Sequence, residues 1–110
     1  MILANIRMTI PPEKRKEALK ILKSMGEQFK VHSGCLGWHI YEDVQADNVL
    51  MVEEIWRSEE DLKHHLRSEE YRNVLMVMEM ALKHPEVRFN TISTSTGIET
   101  IEKARSSAEI

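Results

Sequence analysis

The fold is decided by Val49-Leu50-Met51-Val52-Glu53-Glu54-Ile55-Trp56, a segment near the middle of the chain. Side chains of an extended segment alternate between two sides. One side carries Leu50, Val52 and Trp56, and the other carries Val49, Met51 and Ile55. A strand that is apolar on both sides needs a cover on both faces of its sheet. Two helices can cover one face of a small sheet, so we expect a second chain to cover the other.

The flanking segments predict a regular alternation of strands and helices. Residues 2–10 and 35–42 alternate with a period of two, which indicates strands, and Asp47-Asn48 is typical of a hairpin turn. Apolar residues recur at helical spacing within residues 13–32. Ser58 and Ser68, each followed by acidic residues, predict two further helices, the second reaching about Lys83. Residues 87–95 predict a last strand, and Thr96 begins a helical tail that runs toward Arg105.

This order predicts an α+β fold, ferredoxin-like βαββαβ with an antiparallel sheet and a short C-terminal helix. We expect one domain over residues 1–96 and a helical tail over residues 97–110. Both main helices of such a fold lie on one face of the sheet. We therefore predict that the bare faces of two sheets pack together in a homodimer. The alternative is a monomer whose C-terminal helix folds over that face.

Composition limits the function further. The chain has 110 residues and a formal net charge of -3, so no general basic field attracts nucleic acid. No segment approaches the roughly twenty apolar residues of a membrane span. A single cysteine, Cys35, cannot form an internal disulfide, which favours a reducing cytoplasm. We expect a cytoplasmic protein that contacts neither nucleic acid nor membrane.

Two stretches resemble a known family. Gly34-Cys35-Leu36-Gly37-Trp38 enters the second strand, and Glu54-Ile55-Trp56-Arg57-Ser58 leads into a helix that carries His65. Both resemble segments of small members of the antibiotic biosynthesis monooxygenase family, the quinol-oxidising ones included. The similarity spans about residues 1–96. It implies a dimeric α+β barrel.

The resemblance also implies a chemistry. Characterised members include oxygenases that act on polyphenolic or quinol substrates without metal or flavin, so we expect no cofactor and no metal site. The implied pocket lies between the sheet and the helices, and Trp56 matches the tryptophan that lines the pocket in the family. A haem-degrading branch has an asparagine on the first strand, where this chain most nearly places Ile6, with Asn5 one residue out of step. The histidine that binds haem in that branch corresponds to a position at or near Leu75 of this chain. Both departures count against haem breakdown.

His65 and Glu54 are the predicted catalytic residues. Imidazole can take the proton of a phenol, and the resulting anion gives an electron to dioxygen more readily than the neutral molecule. Alternatively, His65 is a histidine near a helix C-terminus, where positive charge is favourable. Glu54 shares the face of Trp56, and a buried carboxylate needs a partner. Arg7, Arg88 or a substrate hydroxyl could serve, so Glu54 is either a site residue or half of a structural pair.

The remaining candidates are apolar or aromatic. Trp56 could stack on a flat substrate or fill the core. Trp38 and His39 lie on opposite faces of their strand, so at most one of them reaches the pocket. We expect Tyr71 to belong to the core, with its hydroxyl at the edge. Met78 lies on a broad apolar helix surface that suits a core, a dimer contact or a flat ligand.

These residues lead to one hypothesis and two rivals. The hypothesis is a cofactor-independent monooxygenase that uses dioxygen on a small quinol-like or polycyclic aromatic molecule. The first rival is a non-catalytic dimer that binds a small hydrophobic metabolite, of a stress-response type. The second is a ferredoxin-like RNA binder, which would need aromatic and basic residues together on exposed central strands. Asn5 and Arg7 do not supply that platform.

Overall fold

The computed structural model describes residues 1–108. Within them the elements are β1 (Ile2–Thr9), α1 (Pro12–Phe29), β2 (Cys35–Glu42), β3 (Val49–Trp56), α2 (Glu59–Leu66), α3 (Tyr71–Glu79), β4 (Glu86–Thr91) and α4 (Glu99–Ala108). The predicted α+β order with a C-terminal helix is confirmed. Residues 109 and 110 of the predicted tail lie outside the described residues.

The strands form an antiparallel sheet in the order β2-β3-β1-β4. β1 is central, and its Ile6 lies opposite Val52 of β3 and Val87 of β4. β2 and β3 form the predicted hairpin, in whose turn Asn48 adopts a φ of 62°. Asparagine tolerates this left-handed conformation better than most residues, because its short side chain can bond locally.

One face of the sheet holds the core. β1 buries alternate residues on this face, and so does β3, as the sequence predicts. Helices α1 and α3 pack over them, and α2 adds Leu62 beside Ile2 and Trp56. The buried residues are Ile2, Ala4, Ile6 and Met8 of β1, Leu50, Val52, Glu54 and Trp56 of β3, Ala18, Leu22, Met25 and Phe29 of α1, and Tyr71, Val74 and Val77 of α3. Glu54 is therefore a carboxylate placed among apolar side chains.

The opposite face of the sheet has no helix over it within residues 1–108. Leu3, Met51 and Ile55 on this face are only partly buried. Helix α4 does not fold across them, because all of its side chains through residue 106 are exposed. The monomeric alternative, in which the C-terminal helix covers this face, is not observed. We call this surface the outer face.

Helix α3 is shorter than predicted. The expected helix from Ser68 to about Lys83 is reduced to Tyr71–Glu79. Ser68 does not cap it, since its hydroxyl donates to the carbonyl of His65 at 2.7 Å. At the other end, the amide of Leu82 donates to the carbonyl of Thr9 at 2.9 Å. This bond to β1 takes the amide that a continued helix would need, so the helix stops.

A β-bulge changes the start of β2. Cys35 lies opposite Trp56 and Gly37 opposite Ile55, so Leu36 is the extra residue. The alternation predicted over residues 35–42 would place Leu36 on the same face as Trp38 and Ile40. The bulge interrupts that alternation, so this part of the prediction is wrong, and Leu36 is exposed.

The C-terminal part of the chain is open to solvent. Every residue of β4 is exposed, as is every α4 side chain through residue 106. The predicted strand over residues 87–95 ends early, because its partner β1 begins at Ile2, which lies opposite Thr91. The amide of Ile92 still donates to the carbonyl of Met1 at 2.8 Å. Among residues 1–108, none of the helices is long and apolar enough to cross a membrane.

Candidate functional site

The site begins at the end of β3. Glu54 and Trp56 are two residues apart and therefore point to the same, helix-facing side of the sheet. Each is only 1% exposed. The indole Nε1 of Trp56 donates to Oε1 of Glu54 at 2.9 Å. The tryptophan thus supplies one of the partners that a buried carboxylate requires.

His65 is the second partner of the carboxylate. Its Nε2 lies 2.7 Å from Oε1 of Glu54, and both side chains are 1% exposed. The N–H at Nε2 does not point at this oxygen, so the contact is close but is not a hydrogen bond. Nδ1 also has no hydrogen-bond partner among the described residues. The imidazole also stacks on the Trp56 indole, with centroids 4.3 Å apart and planes inclined by 29°. Glu54, Trp56 and His65 form one buried cluster.

The capping box of α2 fixes the start of the helix that carries His65. The Ser58 hydroxyl accepts from the amide of Asp61 at 3.2 Å and donates to Oδ2 of the same residue at 2.8 Å. This confirms the predicted cap. The Ser58 hydroxyl, followed by the Arg57 guanidinium, holds the pKa of Asp61 below its usual value. His65 follows one turn later on the buried side of the helix.

Two further rings hold the imidazole in place. Phe29 of α1 meets it edge-on, with centroids 4.4 Å apart, and Tyr71 of α3 does the same at 5.0 Å. Burial, with a smaller contribution from the charge of Glu54, raises the pKa of the Tyr71 phenol well above its usual 10. Tyr71 is therefore a neutral wall of the site. Three helices and one strand converge on His65.

The predicted arginine partners of Glu54 lie elsewhere. Arg7 points to the outer face and bonds Asp43 at 2.7 Å. Arg88 pairs in register with Asn5 and therefore lies on the outer face too. A strand sends odd-numbered and even-numbered side chains to opposite faces, so neither arginine can reach Glu54. That prediction is wrong, and Trp56 and His65 take the place of the arginines.

A small cavity opens beside the cluster. Its volume is about 170 Å³, and it is lined by His32, Ser33, Trp56, Asp61, His64 and His65. Gly34, at a φ of +88°, holds the loop against α2, since a Cβ there would lie 2.3 Å from Cγ of Asp61. A dry cavity of roughly 150 Å³ is known to hold one benzene ring. The space therefore suits a single ring.

The other predicted binding residues are dispersed. Ile6 is a core residue, 1% exposed. Met78 lies on a separate groove at the end of α3. Trp38 is buried against Gly26 and Phe29, and it borders a second cavity of about 240 Å³ between α1 and β2. The structure therefore brings together Glu54, Trp56, His65 and Tyr71, with Trp38 directly opposite Glu54 on the neighbouring strand, but it leaves Ile6 and Met78 apart.

Sequence reasoning missed Phe29, which contacts His65, and the cavity residues His32, Ser33 and His64. Phe29 belongs to the apolar helical spacing within residues 13–32, which predicts a core position, and its contact with His65 depends on how α1 lies across the sheet. His32 lies in the turn after α1, where no periodic pattern marks a side chain. The glycine that follows it at position 34 was the available signal, since it predicts a sharp turn here.

Comparison with known families gives this site a context. The family model described as antibiotic biosynthesis monooxygenase matches residues 1–75, about two-thirds of the chain. The chain belongs to the antibiotic biosynthesis monooxygenase family. The matched part of this family member includes Phe29, Glu54, Trp56, His65 and Tyr71, and it ends before β4 and α4.

Solved structures share the fold of this family member. A conserved protein from Methanosarcina mazei Go1 superposes with a TM-score of 0.76 at 24% identity, over 81% of this chain and 89% of that one. An antibiotic biosynthesis monooxygenase gives 0.76 at 18% identity, over 86% and 100%. Rv0793 from Mycobacterium tuberculosis gives 0.78 at 21%, over 87% and 98%. At these identities the likeness establishes the ferredoxin-like fold alone.

A curated relative matches the chain over only part of its own length. The uncharacterized protein sll1783 of Synechocystis sp. is 26% identical over 68 residues, which is 62% of this chain and 45% of that protein. The chain thus matches less than half the length of this relative.

Proposed function

We propose that the protein is a monooxygenase that uses dioxygen to oxidise a small, single-ring quinol-like molecule without metal or flavin. The observation that carries the proposal is the buried Glu54–His65 pair, stacked on Trp56 beside a cavity of about 170 Å³. Membership of the family supports the reaction class. The cavity volume favours a single-ring substrate over a polycyclic one.

Each residue of the pair has a distinct role in this proposal. Glu54 faces Nε2 of His65 at 2.7 Å, so the carboxylate favours a proton on that nitrogen. Nδ1 then keeps its lone pair and can accept the proton of a phenolic hydroxyl. A small shift of the ring on substrate binding would align Nε2–H with the carboxylate, since catalytic hydrogen bonds often tighten only in the complex. Glu54 positions the base, and His65 is the base.

The reaction balances without an external reductant. Loss of the phenolic proton gives a quinol anion, which transfers electrons to dioxygen. One oxygen atom becomes a new ring hydroxyl in place of hydrogen, and the other leaves as water. The hydroxylation supplies two electrons, and oxidation of the quinol to the quinone supplies the other two. One hydroquinone and one dioxygen therefore yield one hydroxyquinone and one water.

A homodimer completes the proposal. The outer face presents Leu3, Met51 and Ile55 without a covering helix. Packing of two such faces would bury them and form the barrel expected of the family. This pairing leaves the cavity at His65 accessible, because the cavity lies on the helix side of the sheet.

Oxygen consumption tests the proposed activity. Hydroquinone in chelator-treated buffer should consume one dioxygen per molecule and yield hydroxyquinone. His65→Ala should lower kcat/KM by roughly 10²–10⁴, the usual contribution of a positioned base. Lys63→Ala is the matched control, because Lys63 is exposed on the same helix and forms an ion pair with Glu59 away from the site.

Two outcomes would contradict the enzymatic proposal. Equal loss of activity in Lys63→Ala, or none in folded His65→Ala, would remove His65 from the reaction. Tight binding of the quinol with no oxygen consumption would favour the non-catalytic binding protein instead.

A further inference from the structure

Helix α4 has no partner within the described part of its own chain. Its side chains are exposed through residue 106, including Ile101 at 59%, and Ile98 just before it is 70% exposed. Ile98, Ile101 and Ala104 recur every three residues and share one side of the helix. Isolated helices shorter than about 12–15 residues are marginal in water. A ten-residue helix with an apolar side therefore needs a surface to pack against.

A groove of matching character lies at the end of α3. Its volume is about 740 Å³, and its apolar lining includes Leu75, Met78, Ala81, Leu82 and Pro85. Leu75 is 45% exposed and Leu82 is 65% exposed. On the helix-facing side of β4, Val87 and Phe89 are exposed as well.

Charges around the helix and the groove are complementary. Glu102 borders the apolar side of α4, and Arg105 lies on that side, four residues after Ile101. Glu79 and Lys83 line the groove, four residues apart in the chain. Helix and groove can therefore meet with Glu102 near Lys83 and Arg105 near Glu79. Opposite charges in these places set the direction of the helix in the groove.

We propose that α4 docks into this groove on a second copy of the chain, and that the exchange is reciprocal. The helix of the same chain does not occupy its own groove, since its side chains are solvent-exposed. The connection over residues 92–98 spans roughly 20 Å when extended, enough to reach a neighbouring subunit. The inference rests on the homodimer of the proposed function and adds a second contact to it.

The exchange would also stabilise the site. Leu75 and Met78 lie on α3, the helix that begins with Tyr71, and the ring of Tyr71 lies 5.0 Å from His65. A partner helix seated on α3 would hold this wall of the site in place. Helix α4, which lies beyond the matched residues 1–75, would thus stabilise a site that lies within them.

Dimer affinity tests the contact. Ile101→Asp places a charge in the apolar groove and should weaken dimerisation at least 30-fold, measured by sedimentation. Val44→Asp is the matched control, because Val44 is 98% exposed in the β2–β3 turn. Arg105→Glu should weaken the dimer about three- to ten-fold, and adding Glu79→Arg should restore it.

Disulfide trapping distinguishes the second copy from the same chain. In a Cys35→Ser background, Ile101→Cys on one chain and Leu82→Cys on a chain of different mass should form a mixed disulfide. A chain that carries both substitutions should likewise form disulfides between chains. If it instead forms a disulfide within itself and runs as a monomer, the exchange is overturned. A dimer whose affinity is unchanged by Ile101→Asp would also overturn it, while leaving the sheet-to-sheet dimer intact. A monomeric wild type at micromolar concentration would reject both.

Discussion

The two ends of this chain differ in how they are packed. Residues 1–79 pack around a buried core that also encloses the polar Glu54–His65 pair with Trp56. Every side chain of β4, and every side chain of α4 through residue 106, is exposed. In this part of the chain, partly buried residues occur only in the connections that flank β4, among the described residues. The first part carries the family match and the site, and the second part carries unpartnered apolar surface. From this difference we propose that function resides in the first part and assembly in the second.

The largest expected difference between the two parts comes from removing a carboxylate. Glu54→Ala leaves the Trp56 indole N–H buried without its acceptor and removes the carboxylate that faces Nε2 of His65, so it should lower the free energy of unfolding by about 3 kcal/mol. Glu86→Ala on exposed β4 should change it by no more than about 0.5 kcal/mol. Urea unfolding of the two variants checks this. Equal losses would mean that Glu54 contributes no more than a surface residue.

A methyl group at a glycine gives the next largest effect. A Cβ at position 26 would lie 2.4 Å from Cδ1 of Trp38, so Gly26→Ala should overpack the core and destabilise it by about 1–2 kcal/mol. At Gly97 the nearest atom is the flexible Oε2 of Glu99, at 3.0 Å, and Gly97→Ala should be nearly neutral. Thermal unfolding compares the two, and a neutral Gly26→Ala would show that Trp38 is not tightly packed.

The buried phenol predicts a loss of stability in alkali. Because the pKa of Tyr71 is raised above 10 in the folded protein, the folded state holds the phenolic proton more tightly than the unfolded chain. The resulting stability is fully present below pH 10. It should fall above that by at most about 1.4 kcal/mol per pH unit. Tyr71→Phe should flatten this dependence between pH 9.5 and 11; an unchanged slope would place the titration elsewhere.

Helix caps give the smallest effect. Ser58→Ala removes the cap of α2 and should cost about 1 kcal/mol. The Thr100 hydroxyl donates to that of Thr96 at 2.6 Å at the start of α4, but within the described part of the chain this helix has no packing to lose. Thr96→Ala should therefore leave the global unfolding of a dilute monomer unchanged. A comparable loss in both variants would show that α4 unfolds together with the core.

Local patterns predicted most of the fold. The alternation in β1 and β3 assigned the buried face correctly, and the spacing of Glu54 and Trp56 placed both on it. The Ser58 cap positioned the helix that carries His65. Such features are written in neighbouring residues, so a sequence reveals them.

Features that depend on distant contacts were not predicted. The bulge at Leu36 is set by pairing with β3, and the end of α3 by the bond from Leu82 to Thr9. The place of Phe29 beside His65 depends on the angle at which α1 crosses the sheet. The partner of Glu54 was missed for the same reason, because strand and helix meet only in the folded chain.

Locating the proton on the His65 ring is the most direct test of the proposed mechanism. Nitrogen-15 NMR of the imidazole, assigned with His65→Gln, reports which ring nitrogen carries hydrogen at neutral pH. We predict hydrogen on Nε2, facing Glu54, and a bare Nδ1 whose resonance shifts when hydroquinone is added without oxygen. Hydrogen on Nδ1, or no response of that nitrogen to hydroquinone, would contradict the assignment of His65 as the base.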